Sequence, residues 1–126
     1  MAWPNAKIAA VAHAIEAHSF SANITPISLE AKILQDADHL DALGMLGAAR
    51  MFYVGGRLGR SLDDPLDPEA NERAYDYQRF CLDHFQTKLL HLADCFQTTE
   101  DNVLAQIRHE RLKGFLDQFK EEIGIG

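Results

Sequence analysis

Apolar residues recur at helical spacing along most of the chain, and no segment reads convincingly as a strand. Ile8, Val11, Ala12 and Ile15 fall at i, i+3, i+4 and i+7, which predicts a first helix over residues 5–18 with Pro4 suited to its first turn. Residues 19–26 form a break, and Ser28 is placed to cap a second helix predicted over residues 29–54. Leu34, Ala37, Leu40, Gly44, Ala48 and Met51 make its apolar or small stripe, which ends towards Gly55, Gly56 and Gly59. Residues 61–68, with Pro65 and Pro68 among acids and no period, read as a loop. A third helix is predicted over residues 69–96, with Gln78, Leu82, Phe85, Leu89, Leu92 and Phe96 on one stripe. Thr98 can cap the last helix, with Asp101 favouring its positive end. Leu104, Ile107, Arg111, Phe115, Phe119 and Ile123 form its stripe, and Gly124 is its stop. The pattern predicts an all-α fold and one helical domain over residues 1–126.

Composition narrows the function classes. With 47% apolar and 25% charged residues, the chain is expected to fold as a globule. Twelve Lys and Arg against nineteen Asp and Glu leave a formal charge of −7, which disfavours nucleic acid and anionic membrane as partners. No apolar run approaches the ~20 residues of a membrane span. The N-terminal stretch from Met1 to Lys7 lacks the pattern of a secretory signal, so a cytoplasmic location is expected. Cys81 and Cys95 both fall in the predicted third helix, ~21 Å apart by helical rise, which is too far for a disulfide. Neither sits in a CxxC or CxxH pair, so a structural zinc site is not expected.

The candidate chemistry is concentrated between Gln35 and Gly44, where Asp36, Asp38, His39 and Asp41 interrupt an apolar helix. Asp36 and Asp38 point ~160° apart on a regular helix and cannot share a site. Asp38 lies within ~40° of Leu34, Ala42 and Met45, and Asp41 is ~60° from Asp38. A carboxylate on an apolar face needs a partner or a metal. The alternative is a solvated helix edge. His13 and His18 lie ~140° apart, so one metal would not take both from one face. His18, ~20° from Val11, fits a helix-end or core histidine as well as a ligand. His84, Lys88 and His91 fall within ~40° of one another, a cationic ridge that could hold a phosphate or be a solvated face partnered by Asp83 and Asp94. Arg50, Arg57 and Arg60 could also serve an anion. P-loop, GxGxxG, GxSxG and HExxH patterns are absent.

The segment from Ala12 to Ser21 and the segment from Glu30 to Gly44 resemble the HD-domain metal-dependent phosphohydrolases, with a closer match to their YedJ-like bacterial branch. Gly47-Ala48-Ala49-Arg50 and the stretch from His84 to Leu90 continue the resemblance over nearly the whole chain. It implies an all-helical bundle, a divalent metal (Mn, Mg, Fe, Co or Ni), and water activated against a phosphate ester or anhydride such as a nucleotide. Asp38 matches the family's later metal-binding aspartate. His18 and His13 match positions that serve a second metal or the substrate phosphate in some branches, Asp41 is a further candidate, and Arg50, His84 and Lys88 match positions facing the phosphates. No His-Asp dipeptide occurs in the chain. The resemblance therefore implies a C-terminal portion of the HD domain without its N-terminal helices, weak or inactive as a hydrolase and possessing one metal ligand of about four. The alternative is a non-catalytic helical module that self-associates or binds a protein partner. An apolar groove around Leu34, Ala42 and Phe85, left open without those helices, leads to the expectation of a homo-oligomer.

Overall fold

Residues 2–125 are described by a computed structural model; Met1, which opens the stretch tested for a signal, lies outside them. Five α-helices follow one another: α1 Asn5–Ala17, α2 Leu29–Asp41, α3 Gly44–Arg57, α4 Asp83–Thr87 and α5 Thr99–Glu122. Two 3-10 segments, Phe20–Ala22 and Leu89–Cys95, precede α2 and α5. The all-α expectation holds: no strand occurs among the described residues, and the one β-bridge pairs Ser61 with Phe80.

Local signals place several helix ends. Ser28 caps α2 through its side chain, accepting from the Ala31 N–H at 3.1 Å. Gly124 takes a positive φ of 87° just beyond α5. The long helix predicted over residues 29–54 is in fact two. The chain turns at Ala42–Leu43, and Gly44 enters α3 at a φ of 72°, a conformation that only glycine adopts without strain. A few residues on, a Cβ at position 47 would lie 2.2 Å from the Ala42 carbonyl oxygen. Glycine there lets α3 fold back against the end of α2.

The predicted third helix is also corrected. Residues 69–82 are irregular, α4 has only five residues, and Leu89–Cys95 is 3-10. Arg73 organises the irregular stretch. Its guanidinium bonds both Asp83 carboxylate oxygens at 2.6 and 3.2 Å, Asp64 at 3.0 Å, and the carbonyls of Asp67 and Ala74. It also lies over the Phe80 ring, 4.4 Å from the centroid. Asp83 accepts a third bond from the Asp76 N–H. A helix through residues 69–82 would forgo all of these contacts. Cys81 and Cys95 consequently do not share a helix, though both are free thiols as expected.

The core consists of Leu43, Ala48, Leu82, Phe85, Leu89, Leu92, Ala105, Leu112 and Leu116. Phe85 stacks on Phe115 at an interplanar angle of 10°, and Phe52 stacks on Phe119 at 5.3 Å. The α5 stripe is rotated from its predicted position, with Ala105, Leu112 and Leu116 buried while Leu104, Ile107 and Arg111 are exposed. The stripe of α1 faces outward altogether: Ile8 is 51% and Ile15 58% exposed, and only Ala17 is buried. Phe85, placed by the sequence at an open groove, is fully buried.

The buried face of α2 is polar. Ala31, Gln35, Asp36 and His39 point inward, whereas Leu34 and Ala37 are exposed. Asp38 therefore rises from the exposed side, and Asp36, at 0% exposure, is the interior carboxylate. Asp36 accepts from the N–H groups of Gln97 and Thr98 at 2.9 and 2.8 Å and from the Thr98 hydroxyl at 2.8 Å. It thus supplies the cap of α5, where Thr98 makes no side-chain cap bond of its own.

Candidate functional site

The turn between α2 and α3 and the start of α4 enclose a cavity of about 270 Å³. Asp38 and Asp41 enter it from α2, Arg50 from α3, Arg60 from the turn after α3, and His84 and Lys88 from α4 and its C-cap. Ala42, Gly47, Met51, Val54 and Leu89 complete its wall. The fold thus gathers five candidates from three segments of the sequence: Asp38, Asp41, Arg50, His84 and Lys88.

Their charges are disposed unequally. Arg50 pairs with Asp41, both side chains being more than half exposed, so the pair contributes at most about 1 kcal/mol. Asp38 and the Lys88 ammonium have no hydrogen bond or ion pair among the described residues. Arg60 lies over the Tyr77 ring, 5.5 Å from its centroid, and Tyr77 in turn tilts against His84 at 5.0 Å. Three cations against two carboxylates make this a locally basic cavity in an acidic chain.

His84 is not one of those cations. Burial, then the charges of Lys88 and Arg60, push its pKa down to about 4, so at neutral pH it is a neutral imidazole. Its Nδ1 is buried and has no hydrogen-bond partner among the described residues. The ridge expected from helical spacing therefore does not form. His91 leaves it as well, with Nε2 bound to the Gln86 carbonyl at 2.7 Å. Asp83, considered as a partner of the ridge, is committed to Arg73.

His13 and His18 stand apart from the cavity. His13 Nε2 accepts from the Ile27 N–H at 3.0 Å, tying α1 to the segment before α2. His18 contacts the Ile15 carbonyl through Nδ1. Arg57 is exposed and lies over Tyr53. Sequence reasoning missed Tyr77 altogether. It is exposed, lies in the irregular stretch, and meets Arg60 and His84 from outside the cavity wall, so no period could have marked it.

The donors present do not by themselves make a metal centre. Among the described residues no three His, Cys, Asp or Glu side chains are grouped to hold one ion. Asp41 is already engaged by Arg50, which leaves Asp38 as the uncommitted carboxylate of the cavity among the described residues. A transition-metal site needs several nitrogen or oxygen ligands, so the divalent metal implied by the family resemblance does not find its ligand set here.

The family model for the HD domain matches residues 3–43. The YpgQ protein of Bacillus subtilis (strain 168) is 36% identical over 98 residues, covering 78% of this chain and 42% of that protein. Its crystal structure in complex with ADP superposes with a TM-score of 0.73 at 33% identity, covering 98% of this chain and 56% of that one. An HD-superfamily hydrolase from Bacillus thuringiensis gives a TM-score of 0.62 at 41% identity, covering 75% and 46%. These matches support the HD superfamily. A Lactobacillus plantarum protein of solved structure adds a TM-score of 0.78 at 33% identity over 94% of this chain and 59% of its own. The chain thus spans about half the length of these HD-superfamily relatives. No helix among the described residues is long and apolar enough to cross a membrane.

Proposed function

We propose that the chain forms the phosphate-binding side of an HD-type, metal-dependent phosphohydrolase acting on phosphate esters or anhydrides such as nucleotides. The observation that carries this reading is the convergence of Lys88 and Arg60, neither paired with a carboxylate among the described residues, on the cavity that also holds Asp38. Lys88 and Arg60 provide the charge that holds phosphate oxygens. Neutral His84 offers one ring nitrogen as donor and one as acceptor beside them. Arg50 fixes Asp41 at the rim. Asp38 is the carboxylate left for a metal, and with this donor alone the chain is expected to hydrolyse weakly. The ADP complex of the YpgQ relative supports the nucleotide class.

Calorimetric titration with ADP tests the reading. Loss of a hydrogen bond to a charged group is worth about 1.5–3 kcal/mol, so Lys88→Ala is expected to weaken ADP roughly ten- to hundredfold. An unchanged affinity in both Lys88→Ala and Arg60→Ala overturns it.

A second reading, self-association through α1 and α2, is favoured by the outward apolar residues Ile8, Ile15, Leu29 and Ile33. Light scattering at micromolar concentration separates a homo-oligomer from a monomer, and Ile15→Glu is expected to dissociate the oligomer.

A further inference from the structure

Arg60 lines the Asp38 cavity, yet its guanidinium has no hydrogen bond or ion pair among the described residues. A long side chain left in that state spreads over many rotamers. What Arg60 meets instead is the ring of Tyr77, 5.5 Å from the guanidinium carbon to the ring centroid. The same ring tilts against His84 at 5.0 Å. Tyr77 is 39% exposed and is not part of the cavity wall, so it touches both groups from outside the site.

The backbone beside Tyr77 is fixed on both sides. The Asp76 N–H donates to the buried Asp83 carboxylate at 2.7 Å. The Asp76 carbonyl accepts from the Arg79 and Phe80 N–H groups at 3.1 and 3.0 Å, and its carboxylate accepts from the Gln78 N–H at 3.1 Å. Arg60 is brought alongside by the pairing of neighbouring segments. The Ser61 N–H donates to the Arg79 carbonyl, and the Cys81 N–H to the Ser61 carbonyl, each at 2.9 Å. An exposed tyrosine is thus anchored at its base to the closed Arg73–Asp83 network, while its ring meets two groups of the open cavity.

The kind of contact matters for an anion site. A carboxylate would hold an arginine as well, but it would occupy the N–H donors and cancel the charge, as Asp41 does at Arg50. A guanidinium lying over a ring is attracted by the ring's π face and keeps its N–H donors free for phosphate oxygens. We propose that Tyr77 is a positioning residue of the phosphate site, holding the Arg60 guanidinium over its ring with the charge and the donors unspent. The inference rests on the phosphate reading of the Asp38 cavity and adds to it the residue that keeps Arg60 in place.

The test combines calorimetric titration of the whole chain with ADP and ¹⁵N relaxation of the arginine Nε groups. In the unliganded chain Arg60 Nε is expected to be ordered on the ps–ns timescale, whereas exposed Arg111, with no partner among the described residues, is mobile. Tyr77→Leu is expected to loosen Arg60 and to weaken ADP about fivefold. Tyr77→Phe, which keeps the ring, is expected to restore both. In the Arg60→Ala background Tyr77→Leu is expected to cost nothing further, because its effect passes through that arginine. A tyrosine that merely supported the fold would weaken ADP there too. The inference is overturned if Arg60 Nε is as mobile as Arg111 in the unliganded chain, a measurement that needs no variant to fold. Full ADP affinity in Tyr77→Leu where Arg60→Ala has lost it also overturns it, as does an equal loss in both backgrounds. Those results leave the phosphate reading standing. An affinity unchanged in both Lys88→Ala and Arg60→Ala overturns that reading and this inference together.

Discussion

Asp83 and His84 are neighbours at the start of α4, yet they belong to opposite kinds of charge cluster. Asp83 is buried and bonded by Arg73 and the Asp76 N–H, and every N–H of the Arg73 guanidinium has an acceptor. The hydrogen bonds from Asp83 push the Arg73 pKa further up, against the effect of burial. His84 faces a cavity in which, among the described residues, Asp38 and Lys88 have no partner and its own Nδ1 is unbonded. Both clusters are rich in Asp and Arg. Satisfaction distinguishes them: a network with every donor and acceptor used holds an irregular segment in place, whereas one with spare groups has something left for a ligand.

The largest effect that can test this contrast is Asp83→Ala. Removing one partner of a buried pair leaves the other uncompensated, and with Arg73 partly exposed a loss of about 3 kcal/mol is expected in urea denaturation. A change below about 1 kcal/mol would place this cluster with ordinary surface pairs. Asp36 and Asp38 of α2 provide the same comparison within one helix. Asp36→Ala removes three bonds from a buried carboxylate and is expected to cost about 2–3 kcal/mol, with faster amide exchange over the first turn of α5.

The third effect comes from His84. Its pKa is about 4 in the folded chain against 6.5 as the ordinary value, so the unfolded chain binds the extra proton between these values. The stabilising contribution is complete above pH 6.5 and is lost as pH falls towards about 4. After allowance for partial exposure it amounts to about 2 kcal/mol. His84→Gln is expected to flatten the pH dependence of unfolding in that window, and an unchanged slope would show that the imidazole is not held neutral. The smallest effects belong to the open cluster. Asp38→Ala and Lys88→Ala are expected to change stability by no more than about 0.5 kcal/mol. A larger loss in either would mean that the cavity residues support the fold after all.

Much of the fold was legible because its signals are local. Ser28 bonds a backbone N–H three residues away, and Gly124 takes the positive φ that ends a helix. Other features were hidden because they depend on distant groups. Gly44 looked like one more small residue in a stripe, but its positive φ separates α2 from α3. Residues 69–82 carry enough helix formers to suggest a helix, and the bonds that Arg73 makes override that preference. The candidate cavity was half legible. The resemblance singled out Asp38, Arg50, His84 and Lys88, and these four do converge. The helical wheel, however, set Asp38 on a face of buried character because Leu34 lay beside it, and it is Asp36 that is buried. A wheel ranks faces by hydrophobicity, and α2 buries its polar face because Ala17, Gln97 and Thr98 supply partners for Gln35 and Asp36.

By itself, then, the sequence determined the helical class, the capped start of α2, the glycine stop after α5, and the residue types available for chemistry, since propensity, capping and net charge act over a few residues or over the whole composition. Only the tertiary structure decided which aspartate caps a helix and which faces a cavity, and that burial, helped by the nearby charges of Lys88 and Arg60, holds His84 neutral. Hydrogen-bond satisfaction and desolvation depend on groups that are far apart along the chain and meet only when it folds.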